Sequence, residues 1–232
     1  MKISRDFEPG LAHRFYFIRR SILKGIIRYS TQIGGKILDF GCGSKPYRSL
    51  FPSEEYYGLD YENPGHDHSN ESIDVFYDGK TIPFDNCFFD SILSTEVIEH
   101  VFELDNTLHE FNRVLRKNGV LLITCPFVWP EHEKPYDFAR YTYFALKYKL
   151  ELSGFEILAF EKGGNFIEVI AQLRVLDFVQ WAEPKLRSFG RLGYLVLNTG
   201  IFFKNSLGKL KSKLFKSNTD LYLSNIILAR KK

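Results

Sequence analysis

The sequence predicts a doubly wound α/β fold built on a mostly parallel sheet, with a helical insertion near the C-terminus. Three observations carry this. Short apolar runs alternate with stretches whose apolar residues recur every three or four positions. The first of the runs leads straight into the tight loop Gly41-Cys42-Gly43. Val120–Thr124 is an unbroken apolar strand of the kind that parallel sheets bury on both faces.

Taken in order, residues 11–32 read as a helix with Phe15, Ile18, Ile22 and Ile26 on one face, stopped by Gly34-Gly35. Strands follow at 36–40 and 56–60, with a helix between them that Ser44 would cap and Pro46 would begin. Residues 63–72 read as loop, and short strands are expected at 73–77 and 90–94. Leu104, Leu108, Phe111 and Leu115 mark a helix that Asn118-Gly119 would close. After the strand at 120–124, Thr142 caps a helix to Ser153, stopped by Gly154. Strands at 155–160 and 223–229 complete the pattern. About sixty residues, Gly163 to Tyr222, separate them, too many for a plain loop and helical in pattern.

The chain has 232 residues, 44% of them hydrophobic and 16% aromatic, enough for a large core and against global disorder. Cys42, Cys87 and Cys125 fit no metal spacing, and an odd number argues against a disulfide framework. No secretory signal is recognised, and the longest apolar run, Leu192 to Phe203, is far short of the roughly 20 residues of a spanning helix. A cytoplasmic protein is expected. Its net charge of +3 hides an asymmetry: 25 acids face 12 bases between Asp39 and Glu183, while the flanks 9–38 and 185–219 hold six and eight Lys/Arg and no acid.

Ligands of a doubly wound sheet sit at the carboxyl ends of its strands, where Gly41-Cys42-Gly43 leaves the first one. Glycines there allow φ > 0 and close approach of a ligand. A dinucleotide fingerprint would want a third glycine where Pro46 stands, and Asp39 would repel a pyrophosphate. A carboxylate suits a cofactor carrying an ammonium and a sulfonium, as S-adenosylmethionine does. Asp60, 17 residues after Gly43, is placed to accept ribose hydroxyls, with Tyr61 beside it; otherwise it is a strand-end turn residue. Asp78-Gly79 could receive the adenine amino group, with Ile82 and Phe84 flanking or underlying the ring, or could be an ordinary turn.

Lys36–Gly43, Tyr57–Asp60, Asp78-Gly79 with Ile82-Pro83-Phe84, Phe89–His100 and His109–Gly119 resemble, in order, the motifs of the class I S-adenosylmethionine-dependent methyltransferases, of the type 11 kind. The resemblance spans about residues 35–160. It implies a Rossmann-like seven-stranded sheet with the last strand antiparallel. It also implies methionine contacts from Asp39, Gly41 and Gly43 around Cys42, ribose contacts from Asp60, adenine contacts near Asp78-Gly79, and Thr95 and Glu96 at the reactive end. Ser44-Lys45-Pro46 departs from the small residues of many relatives, which leaves the path of the loop open.

Methyl transfer needs an aligned acceptor and, for a hydroxyl, a base. Two segments qualify. Glu96 and His100 would share a helix face at i, i+4 with Glu99 beside them, as a base or, if a second histidine joined, a metal cluster. Some O-methyltransferases of the family use such a Glu-x-x-Glu-His arrangement for a metal; the expectation here is a metal-free histidine bonded to the loop. Residues 126–142 combine Trp129, His132, Tyr136, Asp137, Arg140 and Tyr141, and otherwise form a proline-stiffened loop with helix-capping ion pairs. His132 is the first choice of base and His100 the second. The His132–Thr142 stretch resembles methyltransferases of bacterial surface-glycan clusters, implying O-methylation of a small-molecule, glycan or lipid-linked sugar hydroxyl. A quinone or aromatic O-methyltransferase and a cofactor-binding partner subunit without activity are the alternatives. A nucleotide-sugar or NAD enzyme is disfavoured by Asp39 and Pro46.

A single domain is expected, with a basic helix at 1–34, a cofactor-binding core at 35–162, the insertion at 163–222 and a final strand at 223–232. The basic, aromatic flanks suit an anionic membrane's inner face, or simply cover the acidic core. No nucleic-acid motif is present.

Overall fold

The computed structural model describes residues 3–4, 6–61 and 72–232. The loop expected from residue 63 to 72 lies, except for Ser72, outside the described residues. The chain divides into two compact units, one of Gly25–Glu161 with Asn225–Lys232, the other of Ile3–Lys24 with Lys162–Ser224.

The first unit is organised by the expected sheet. Its strands are β1 (Ile37–Phe40), β2 (Tyr56–Tyr61), β3 (Val75–Tyr77), β4 (Phe89–Thr95), β5 (Leu115–Pro126), β6 (Phe155–Gly163) and β7 (Ser224–Lys231), in the order β3-β2-β1-β4-β5-β7-β6. The pairs β1–β2, β1–β4, β2–β3 and β4–β5 are parallel. At the far edge the Leu223 N–H meets the Gly163 carbonyl and the Lys232 N–H meets that of Gly154. That pairing runs β7 antiparallel, the single reversed strand of the sheet. Apolar strands fill both faces, so Leu38, Phe40, Phe89, Ile92, Leu121 and Ile123 are buried against Phe111 and Leu108 of the helix α2 (Leu104–Val114).

Helix α1 (Tyr16–Tyr29) continues into a 3-10 turn at Ser30–Gln32, inside the expected 11–32. Helix α3 (Tyr143–Leu152) is also as expected: Thr142 Oγ1 accepts from the Ala145 N–H, and Gly154 leaves it at φ +84°. Two helices are corrected. None follows Gly43. Lys45 takes φ +51°, which no helix tolerates, and a 3-10 turn at Arg48–Leu50 brings the chain round to β2. Arg48 holds that turn through the carbonyls of Phe51 and Ser53, and Tyr47 and Phe51 are buried beneath it.

Helix α2 also differs from expectation and ends at Val114 rather than Asn118-Gly119. Leu115 already pairs with Phe89, and Arg116–Asn118 bulge out before Val120 rejoins Ser91. The helix's last carbonyls are met instead by the Cys87 N–H on Arg113 and Lys231 Nζ on Asn112. Asn118, at φ +64°, serves the bulge.

Arg113 ties α2 to the segment leading into β4. Its guanidinium donates to the carbonyls of Ile82 and Phe84, to Asn86 and to Glu110. Hydrogen bonds of charged groups contribute about 1.5–3 kcal/mol each when part-buried. Arg113→Ala is therefore expected to destabilise the fold by at least about 2 kcal/mol in denaturant unfolding, with no change in the chemistry of the site.

The second unit contains α4 (Phe166–Leu186) and α5 (Gly190–Leu214), joined by a 3-10 turn at Arg187–Phe189. Val175, Val179 and Ala182 pack on Leu197 and Ile201. Gly200 lets the Phe178 ring close on α5, and Gly208 admits Ala171 and Phe17. Buried Gln172 accepts the Phe17 N–H and donates to the Arg14 carbonyl, while Arg14 forks onto Glu183. Among the described residues no helix is long and apolar enough to cross a membrane.

Candidate active site

Because β1–β5 are parallel, Gly41, Tyr61, Asp78, Glu96 and Phe127 all leave the sheet at one edge, at the end of each strand in turn. Gly41 has φ +70°, and a side chain there would strike Val97, so the loops after β1 and β4 touch. Gly43 has φ +45°. Gly41→Ala is accordingly expected to abolish cofactor binding in calorimetry. It combines left-handed strain of about 1–3 kcal/mol with displacement of Val97.

The amides of this loop are already committed. The N–H groups of Gly41 and Cys42 bond the Leu59 carbonyl, and that of Gly43 bonds Asp60 Oδ2 at 2.8 Å. The loop therefore offers no amide nest for a phosphate. What lies beside it is negative. Asp39 is buried, its Oδ2 accepting from the Tyr56 hydroxyl at 2.6 Å. Burial pushes its carboxyl up to about 7, against the lowering influence of Tyr56 and Lys45. Asp60 Oδ1 accepts the Tyr61 N–H at 2.8 Å. A loop with consumed amides and flanking carboxylates fits a cationic ligand and rejects a pyrophosphate.

Sequence reasoning missed Lys45, Tyr56 and Asp74. Gly58 lies opposite Asp39 in the β1–β2 register, and its missing side chain leaves a slot that the Lys45 stem fills. Lys45 Nζ reaches Asp74 Oδ2 at 2.6 Å, and the same oxygen takes the Gly58 N–H. The signal was a glycine inside a strand, paired across from a buried acid. Asp78 caps its own turn, with Oδ1 accepting from the Lys80 and Thr81 N–H groups, which holds its carboxyl below the usual range. Gly79, at φ +79°, packs under the half-exposed Tyr61 ring. Ile82 is buried in the core, and Phe84 edges onto Tyr57 and Phe89.

Thr95 ends β4, and Glu96, at φ +56°, turns the chain out of it while its N–H bonds the Thr124 carbonyl. Only Ile98–His100 then form a helical turn, of 3-10 type, so the expected shared helix face of Glu96 and His100 does not exist. The left-handed Glu96 breaks it. His100 instead meets His132 from the loop after β5, Nε2 to Nε2 at 3.2 Å. Glu99 is fully buried beside them. Its carboxyl is raised well above the usual range, by burial first and by Glu96 second. Burial, with His100 nearby, lowers His132.

The loop after β5 is closed by its own ion pair rather than capping a helix. Arg140 forks onto Asp137 at 2.6 Å through each nitrogen and donates to the carbonyls of Trp129, Pro130 and Ala139. Asp137 is thereby held well below the usual carboxylate range, and it accepts the His132 N–H at 2.9 Å. The exposed rings of Tyr136, Phe138 and Phe102 pack edge to face on one another, and the Tyr136 carbonyl meets His100 Nδ1.

The chain matches a family described as a methyltransferase domain over residues 38–123, the stretch from β1 through β5 that builds this edge. It is 26% identical to a probable S-adenosylmethionine-dependent methyltransferase of Mycolicibacterium smegmatis, covering 77% of this chain and 79% of that one. The family match and the relative together support a methyltransferase that uses S-adenosylmethionine. Its fold is shared with the phosphoethanolamine N-methyltransferase 2 of Haemonchus contortus, solved with S-adenosylmethionine. There the TM-score is 0.53 at 18% identity, over 91% of this chain and 52% of that one. The cyclase SpnF shares it too, with a TM-score of 0.52 at 19% identity, over 91% and 80% of the two chains. A fold that carries a cyclase as well as methyltransferases leaves the acceptor chemistry to the site itself.

Proposed function

We propose that this methyltransferase acts on a hydroxyl oxygen, of a small molecule or of a glycan or lipid-linked sugar. The observation that carries the reading is the His100–His132 pair, whose facing Nε2 atoms lie just beyond the β4 and β5 ends. Asp39, Gly41, Cys42 and Gly43 hold the methionine part of the cofactor, Asp60 and Tyr61 the ribose, Asp78 and Gly79 the adenine. Thr95 and Glu96 line the reactive end. When bound, S-adenosylmethionine supplies a methyl carbon that passes to the acceptor oxygen as the carbon–sulfur bond breaks and its electron pair returns to sulfur. The protein's own task is to remove the hydroxyl proton, which His132 accepts, with His100 beside it. Phe102, Tyr136 and Phe138 offer apolar ring surface on which the face of a sugar can pack.

The test is transfer of labelled methyl to matched acceptors that differ only at the nucleophile. Sugar or other alcohol hydroxyls are expected to be methylated. Transfer to amines alone, with no alcohol accepted, would overturn the reading.

The protein is further proposed to work in the cytoplasm at an anionic membrane surface. Helix α5 holds five Lys/Arg and no acid, and leaves Tyr194, Leu195, Phe203, Leu207 and Leu214 exposed. Co-sedimentation at low salt is expected with vesicles containing phosphatidylserine and not with neutral ones, and to weaken when Lys209, Lys211 and Lys213 are changed to glutamate. Equal recovery with both vesicle types would remove it.

A further inference from the structure

We propose that Glu99, His100 and His132 form a site for one divalent metal ion of the zinc and cobalt kind. The sequence led to no metal being expected, because nothing in it placed His132 against Glu99.

His100 Nδ1 lies 2.8 Å from the Tyr136 carbonyl oxygen, and His132 Nδ1 lies 3.3 Å from Asp137 Oδ2. Asp137 is itself fixed by Arg140. A carbonyl only accepts, so His100 Nδ1 carries the hydrogen and that ring turns a bare lone pair outward at Nε2, whereas His132 Nδ1 makes no hydrogen bond to Asp137. That lone pair faces His132 Nε2 at 3.2 Å. Either a proton or a metal ion can stand between the two nitrogens.

Glu99 decides which species. It is 0% exposed, and neither of its carboxylate oxygens receives a hydrogen bond. The same Oε1 lies 3.7 Å from His100 Nε2 and 4.0 Å from His132 Nε2. One proton shared by the imidazoles would satisfy the nitrogens and leave this carboxylate buried without a donor, which is costly. A cation bound by all three gives the buried carboxylate and both Nε2 atoms a partner.

The dimensions agree. One ligand atom from each residue falls within 4.8 Å of the others. Metal–nitrogen bonds of about 2.1 Å in tetrahedral array place ligand atoms roughly 3.4 Å apart. Side-chain rotation of Glu99 closes the two longer edges. Two imidazoles and one carboxylate form a donor set for zinc and its neighbours rather than for magnesium or calcium, which prefer oxygen. The Tyr136 carbonyl orients the His100 ring as a supporting partner of a metal-bound histidine does. Three protein ligands leave a coordination position open.

The site deepens the proposed function, and only its role rests on that reading. With the ion bound, a hydroxyl at the open position would lose its proton to solvent more easily, and His132 would take the proton itself only in the metal-free protein. Binding of the ion stands apart from the identity of the acceptor.

The full chain, stripped with chelator, is titrated with Co2+ and then Zn2+, followed by calorimetry and visible absorption. One equivalent of Co2+ is expected, with ligand-field bands that Zn2+ abolishes. His100→Ala and His132→Ala are each expected to weaken binding by more than the roughly 10–100-fold that loss of a supporting partner costs. S-adenosylhomocysteine binding, measured on the same variants, reports that they are folded. Absence of stoichiometric binding, or equal binding by the folded variants, overturns the site. Metal bound normally with no alcohol methylated would leave the site standing and sink the proposed function. Alcohol methylation by a protein that binds no metal would do the reverse.

Discussion

Asp39→Asn is expected to weaken cofactor binding 10- to 100-fold while stabilising the cofactor-free protein above neutral pH. Both effects follow from one buried carboxylate. Its loss removes a charge-assisted hydrogen bond to the methionine ammonium, which contributes about 1.5–3 kcal/mol. The sign of the stability effect comes from linkage. Asp39 titrates at about 7 in the folded chain, because burial disfavours its anion, and near the ordinary aspartate value when unfolded. The folded state therefore holds a proton that the unfolded state releases. Stability associated with this group is complete below about pH 4 and is lost progressively as pH rises to 7, up to a bound on the order of 4 kcal/mol. Asparagine keeps an acceptor for the Tyr56 hydroxyl and removes the titration. Unfolding of the cofactor-free chain is expected to show a pH slope between 4 and 7 that the variant flattens. Binding of the cationic ligand is expected to expel the proton below pH 7. Affinity in the wild type then falls as pH drops, and calorimetry in two buffers of different ionisation enthalpy counts the proton. A variant that binds as tightly as the parent at pH 8 would place the ammonium elsewhere.

His132→Ala is expected to lower kcat by 10²- to 10⁴-fold, the range for a positioned group that removes a proton. S-adenosylhomocysteine affinity should change little, since the imidazole stands at the ends of β4 and β5 and not in the glycine loop. His100→Ala should fall in the same range, and the double variant should fall little further, because residues acting as a unit are not additive. Single-turnover rates with saturating cofactor separate chemistry from binding. Undiminished turnover in both single variants would assign catalysis to alignment alone.

The succession of strands along the chain and the position of the glycine loop were legible in the sequence because apolar periodicity and glycine placement are local signals. Leu38 and Phe40 announce β1, and Gly41 announces the turn beyond it. The helix expected after Gly43 failed for a reason that is also local but subtler. Ser44 and Pro46 are good starting residues, yet Lys45 between them is drawn into left-handed backbone, and its stem fills the slot above Gly58. The end of α2 was misplaced because Asn118-Gly119 serves a bulge as well as a helix stop. Only the pairing of Leu115 with Phe89 distinguishes the two.

The site was legible one residue at a time and not as a constellation. His100 and His132 were both singled out, 32 positions apart, but their contact depends on β5 lying beside β4 and on Asp137 and Arg140 folding the loop back. Glu99 looked like a neighbour on a helix. It became a buried carboxylate only once Glu96 had turned the chain and removed that helix. Contacts between loops of parallel strands are long-range, and no periodicity encodes them.

The central claim is a cationic, pyrophosphate-free cofactor at the Gly41–Gly43 loop. Isothermal calorimetry of the full chain with S-adenosylhomocysteine and, separately, with NAD tests it most directly. One equivalent of S-adenosylhomocysteine should bind, Gly41→Ala should abolish that binding, and NAD should give no heat beyond dilution. Saturable binding of NAD, with none of S-adenosylhomocysteine, would contradict the account at its base.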